Sequence, residues 1–181
     1  IDIPEADLVD GFLPAFRFAR ALNPAQPITV GTLVSPDFYP EARHSHHQAL
    51  LDAEAEILAC DEDWARVSGR SAGGLLTVDG EDDARIGILT LGSVHGTLAA
   101  AREEFPNLPA AKLIKLRCFR PFPAAALREA CEGLDHVIVL ERALSLGSGG
   151  IVAAELHAAL SSMTVAPRIH SFAVGLGGRD I

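Results

Sequence analysis

The chain has 181 residues, 49% of them hydrophobic and 22% charged, with 15 Lys+Arg against 24 Asp+Glu. That composition suits a folded domain with one sizeable core and excludes a disordered chain. A formal net charge of −9 argues against a nucleic-acid backbone or an anionic membrane as partner, and no apolar run reaches the roughly 20 residues a bilayer span requires. Position 1 is Ile, and the single Met is Met163, so the sequence reads as a piece of a longer chain. Residues 1–45 read as an extended lead-in, because Pro4, Pro14, Pro24, Pro27, Pro36 and Pro40 forbid a long helix. Within it Asp7–Pro14 carries apolar residues that need a surface to pack on, and Ile28-Thr29-Val30 suggests a short strand.

Residues 46–69 predict a helix, with Leu50, Leu51, Ala53, Ile57, Leu58, Trp64 and Val67 near a 3.6-residue spacing and Gly69 at the C-terminal cap. A short strand is predicted at 75–78, followed by the acidic turn 79–83. Charge divides at this point: residues 1–83 hold 16 acids and 5 Arg, and residues 84–181 hold 8 acids and 10 bases. The organisation expected is a linker, helix and short-strand region over 1–83 and an α/β domain over 84–181. From residue 84 apolar strands alternate with helices: strand 85–91, helix 96–105, strand 111–119, helix 123–131, strand 136–140, helix 149–161, strand 167–172. Such alternation predicts an α/β fold, a mostly parallel sheet with helices on both faces and its ligand or partner surface at the carboxyl ends of the strands.

Four stretches fall on that edge. Gly92-Ser93-Val94-His95-Gly96-Thr97 feeds a helix and reads either as a phosphate-holding turn or, the stronger reading, as a tight turn with a helix cap. In Arg117–Pro123 two Arg surround Phe119 and Phe122, and the stretch reads either as an anion grip or, the preferred account, as Phe residues fixing a corner while the Arg residues pair with carboxylates on a neighbouring surface. Glu141-Arg142 closes a buried strand before Ser145–Gly150, and the Glu reads as acid, base or buried ion-pair partner. Gly175-Leu176-Gly177-Gly178-Arg179-Asp180 forms a compact turn facing a phosphate or a partner. The candidate partner or ligand edge is therefore Gly92, Ser93, Arg120, Glu141, Arg142, Gly177, Gly178 and Arg179, with no catalytic residue assigned. His44, His46 and His47 do not make a ligand set, and Cys60, Cys118 and Cys131 share no CxxC spacing, so no metal is assigned to this chain. Three scattered Cys fit a reducing, cytoplasmic compartment.

Taken in order, these motifs make the chain similar to the alpha subunit of pyruvate:ferredoxin/flavodoxin oxidoreductase and related 2-oxoacid:acceptor oxidoreductases. Asp10-Gly11-Phe12-Leu13-Pro14 resembles the family's Val-Asp-x-Phe-Leu-Pro segment, and Pro27–Gly31 with Phe38, Tyr39 and Arg43 its connector. Gly69-Arg70, Asp82-Asp83-Ala84, Gly92-Ser93, Arg120-Pro121-Phe122-Pro123, Glu141-Arg142 and Gly175–Asp180 continue the match over nearly the whole chain. The resemblance implies a linker plus a domain similar to the C-terminal domain of transketolase, set within a larger enzyme. That parent would carry thiamine diphosphate, Mg and iron–sulfur clusters, none bound by this chain itself. It would oxidatively decarboxylate a 2-oxoacid to acyl-CoA, passing electrons to ferredoxin or flavodoxin. The implied partners are the thiamine-binding domain of the same subunit and the beta, gamma and ferredoxin-like subunits, with coenzyme A for the parent enzyme. This segment would be structural and inert alone. Pro40-Glu41-Ala42 and the long Ser-rich turn after Arg142 depart from the family's pattern and leave the identity of the 2-oxoacid open. Two rivals are a non-enzymatic docking module of the same fold and a phosphate-binding hydrolase built on Gly92–Thr97.

Overall fold

A computed structural model describes residues 3–31 and 33–178. They fall into two compact units, Ile1–Ala72 and Gly73–Ile181. The first unit holds two helices, α1 (Ala6–Phe12) and α2 (Tyr39–Ser68). The lead-in is thus not wholly extended, since α1 fits between Pro4 and Pro14. It packs on α2 through Phe12, whose ring meets Trp64 edge-on at 5.1 Å between centroids. Ile28-Thr29-Val30 forms no strand: flanked by Pro27 and by Gly31 at φ 75°, the three residues join no ladder. Helix α2 starts seven residues earlier than expected, because Pro40 lies in its first turn, where a missing N–H costs nothing. Gly69 ends it in the left-handed conformation at φ 69°, its N–H donating to Ala65 O at 2.9 Å.

The second unit is a five-stranded sheet in the order β1-β3-β2-β4-β5, with β1 Leu76–Gly80, β2 Ile86–Leu91, β3 Lys112–Leu116, β4 His136–Glu141 and β5 Arg168–Ala173. β1 runs antiparallel to β3 and joins the sheet of this unit, although the sequence groups residues 76–80 with the lead-in. All other pairings are parallel. The connecting helices are α3 (Val94–Glu104), α4 (Ala124–Ala130) and α5 (Ile151–Leu160). Right-handed crossovers put α3, which joins β2 to β3, on one face, and α4 and α5 on the other. This is the α/β class expected, mostly parallel with helices on both faces.

The core lies between the sheet and the α4–α5 layer, where Leu89, Ile114, Val137 and Val139 meet Leu127, Val152, Leu156 and Leu160. Successive strand residues point to opposite faces, so in β4 Val137, Val139 and Glu141 are buried on the α4–α5 side while His136, Ile138 and Leu140 face the other way. That alternation carries a carboxylate into the core at the strand's end. The connections after β2 and β4 leave for opposite faces, so the crevice between the carboxyl ends of these neighbouring strands is the topological switch point, where open α/β sheets present ligands.

Candidate functional site

A pocket of about 250 Å³ opens at that crevice, lined by Leu91, Phe119, Glu141, Arg142, Ile151 and Val152 among others. A larger depression of about 700 Å³ lies at the opposite, amino end of the strands beside Arg85 and Asp135. Topology, rather than size, makes the smaller one the candidate site.

Glu141 is the most constrained residue of the crevice, with 2% of its surface exposed. Its carboxylate accepts the backbone N–H of Val152 at 2.8 Å and of Ala153 at 3.2 Å. These are the second and third residues of α5, whose preceding Gly150 offers no side chain. Every helix leaves its first N–H groups without intrahelical partners, and here a side chain from the neighbouring strand satisfies two of them. The negative charge also sits at the positive end of the α5 dipole. Glu141 is therefore a structural cap, its acceptor capacity turned to the protein rather than to the pocket. Gly150 makes this possible, since a Cβ there would collide with Glu141 Oε1 and Ser171 Oγ.

Arg142, the next residue, turns outward and is exposed. Its Nε–H points at Gly175 O, 3.4 Å away, and its Nη2 would lie 3.5 Å from a Cβ at position 178. Glu141 O accepts the Val174 N–H at 2.9 Å, which ties the end of β4 to the segment after β5. The structure thus brings Glu141, Arg142, Gly177 and Gly178 together, with the last two in a single 3-10 turn, Leu176–Gly178. Arg179 lies outside the described residues.

Arg120 is committed elsewhere. Its guanidinium pairs with Glu155 of α5, stacks 4.2 Å from the Phe119 ring centroid, and donates to Phe119 O at 2.8 Å. Phe119 and Phe122 meet edge-on at 6.1 Å and fix the corner. Arg120 thus pairs with a carboxylate as expected, but that of Glu155 in its own domain rather than one on a neighbouring surface. Gly92 and Ser93 continue directly from Leu91 at the pocket wall; Gly92 turns the chain at φ 75°, and Ser93 makes no side-chain cap to α3. The turn expected there is present, and the side-chain cap is not.

His95 of the same motif faces the sheet rather than the pocket. Its Nδ1 is 3.5 Å from Thr90 Oγ1 and its Nε2 is 3.7 Å from Asp79 Oδ2. Burial holds its pKa below the usual histidine range, with Lys115 acting in the same direction and Asp79 opposing both. A depressed histidine binds its proton more weakly in the folded chain than in the unfolded one, so stability falls as pH drops below the unfolded value of about 6.5. Urea unfolding between about pH 5 and pH 8 is expected to show this loss, with a shallower slope for His95→Gln. Equal slopes in the two proteins would discard the assignment.

The pocket-lining residues thus supply one outward guanidinium, a carboxylate already used, and apolar walls. Sequence reasoning named Gly150 only within the Ser145–Gly150 turn and Phe119 only as a corner residue, and it missed the wall residue Ile151. The signal for Gly150 was present in the spacing of Glu141 ahead of a Gly-Gly helix entry.

Among families of known proteins, the model described as pyruvate:ferredoxin oxidoreductase core domain II matches residues 84–181. Along the chain as a whole, pyruvate synthase subunit PorA of Methanosarcina barkeri is 35% identical over 98% of this chain and 44% of its own length. Ketoisovalerate oxidoreductase subunit VorA of Pyrococcus horikoshii is 34% identical over 98% of this chain and 45% of its own length. The chain spans less than half the length of these relatives. A solved 2-oxoglutarate:ferredoxin oxidoreductase from Magnetococcus marinus aligns with 65% of this chain and 19% of its own, at 20% identity and a TM-score of 0.40.

Proposed function

The chain belongs to the pyruvate:ferredoxin oxidoreductase domain II family, and we propose that it serves as the linker and domain II of the alpha subunit of a thiamine-diphosphate-dependent 2-oxoacid:ferredoxin oxidoreductase. The parent reaction on this reading is oxidative decarboxylation of a 2-oxoacid, with coenzyme A as acyl acceptor and ferredoxin or flavodoxin as electron acceptor, in the cytoplasm. The observation that carries the reading is the family match over residues 84–181, joined to identity with 2-oxoacid oxidoreductase subunits along the lead-in as well. Identity to the pyruvate and ketoisovalerate subunits is nearly equal, so the substrate is assigned as a class, the 2-oxoacids.

The donor set here does not fit the redox groups of such an enzyme. A [4Fe–4S] cluster takes four thiolates, whereas this chain has three Cys: Cys60 exposed on α2, Cys118 half-buried, and Cys131 buried in the core. Burial pushes the Cys131 thiol up to about 11, which disfavours the thiolate a metal needs. Among the described residues no three His, Cys, Asp or Glu side chains are placed to share an ion. Nor does the α5 N-terminus offer a diphosphate its N–H groups, since Glu141 accepts from them. On this reading the clusters and the cofactor are held by the thiamine-binding domain and by the beta, gamma and ferredoxin-like subunits. This chain contributes shape and docking surface, with the Arg142 crevice as the candidate edge.

The purified chain is accordingly expected to show no coenzyme-A-dependent 2-oxoacid oxidation coupled to viologen reduction, while the intact complex containing it turns over. Turnover by the isolated chain, or micromolar binding of thiamine diphosphate to it, would refute this division of labour.

A further inference from the structure

His136 opens β4 and His170 lies in the neighbouring β5, where it is register-paired with Ile138. Both belong to the sheet face opposite α4 and α5, and His170 is exposed. The ring nitrogens His136 Nδ1 and His170 Nε2 stand 3.0 Å apart, with ring centroids at 5.2 Å. Imidazole ligands bind a metal at about 2.0–2.1 Å, so two nitrogens sharing one ion lie about 2.9 Å apart at the roughly 90° of a tetragonal Cu²⁺ site and about 3.3 Å apart at the tetrahedral angle of Zn²⁺. The observed separation is already that of two adjacent positions in one coordination sphere. The geometry points to a chelating site for a divalent transition-metal ion of the zinc or copper kind at His136 and His170.

Two strands paired in register fix the backbone of both residues, and the ring-to-ring hydrogen bond already holds the two nitrogens side by side. In the free state one ring donates its N–H to the other. In the bound state both facing nitrogens present lone pairs, and the rings carry their protons on His136 Nε2 and His170 Nδ1. Asp135, next to His136, is held by Arg85 at 2.7 Å, and Arg168 stands in register with His136, so the neighbouring carboxylate is already committed and does not complete the sphere. The remaining positions belong to water or to an anion. Two imidazoles with open positions select Cu²⁺ and Zn²⁺ over Mg²⁺ or Ca²⁺.

The test uses the full chain carrying His44→Gln and His47→Gln, so that these exposed imidazoles, one helical turn apart on α2, add no signal of their own. Calorimetric titration with Zn²⁺ is expected to give one equivalent at about 10 µM or tighter, weakened about tenfold or more by His170→Ala and by His136→Ala. With Cu²⁺ the electron-paramagnetic spectrum is expected to show coupling to two nitrogens, reduced to one in either variant. Circular dichroism identifies any variant that has unfolded; for such a variant His→Gln replaces His→Ala. Absence of saturable binding, or equal affinity in the variants, would overturn the site.

Discussion

Replacing Glu141 with alanine is expected to destabilise the α/β unit by about 3 kcal/mol, because a buried carboxylate that accepts two backbone N–H groups has no substitute. Hydrogen bonds to a charged partner contribute about 1.5–3 kcal/mol each, and loss of a helix cap alone costs about 0.5–2 kcal/mol. These overlap, since the cap consists of those two bonds. The N–H groups of Val152 and Ala153 would be left in a region where Val152, Ala153 and Glu141 are all nearly fully buried. Glu141→Gln keeps one oxygen acceptor and turns an amide donor toward the other N–H, so about half the loss is expected. The reading is a lower urea midpoint at unchanged m-value. A loss below about 0.5 kcal/mol for the alanine variant would mean that α5 does not depend on this cap.

The second large effect is expected at Gly150. Its backbone, φ −66° and ψ 135°, is open to any residue, so the constraint is spatial. A methyl group there would meet Glu141 Oε1 and Ser171 Oγ, and would stand only 3.0 Å from Glu141 Cδ. Gly150→Ala is expected to cost about 2–3 kcal/mol through overpacking and displacement of the capping carboxylate. Because both variants damage the same contact, the Glu141→Ala/Gly150→Ala double variant should be more stable than the sum of the two losses predicts, by about 1 kcal/mol or more. Strict additivity in that cycle would separate Gly150 from the cap.

The sequence makes the sheet domain legible because its apolar runs are bounded by strong breakers. Gly92 ends β2, Pro121 and Pro123 follow β3, and Gly149-Gly150 precede α5. The lead-in is less legible. Counting prolines there overlooks that Pro40 belongs in a first turn and that the gap between Pro4 and Pro14 accommodates α1. Of the candidate edge, the alternation Val137-Val139-Glu141 holds the information that Glu141 points inward, yet the residue type suggests chemistry rather than capping. Arg120 could not be resolved by local reading, since its partner Glu155 lies 35 positions on. The His136–His170 pair is likewise a product of strand register, which a single strand does not encode.

The filled helix end has a consequence for what this domain can recognise. In a doubly wound sheet the helix entry beside the switch point is an anion receptor, and here the receptor and its anion are covalently parts of one chain. The tethered carboxylate occupies the N–H groups that a dissolved anion would need, and the packing of β4 against α5 sets its local concentration above the millimolar level a flexible tether gives. Glu141→Ala should therefore do more than loosen the fold: in a variant that stays folded it unmasks the receptor, and sulfate or phosphate would then stabilise the variant while leaving the parent chain unchanged.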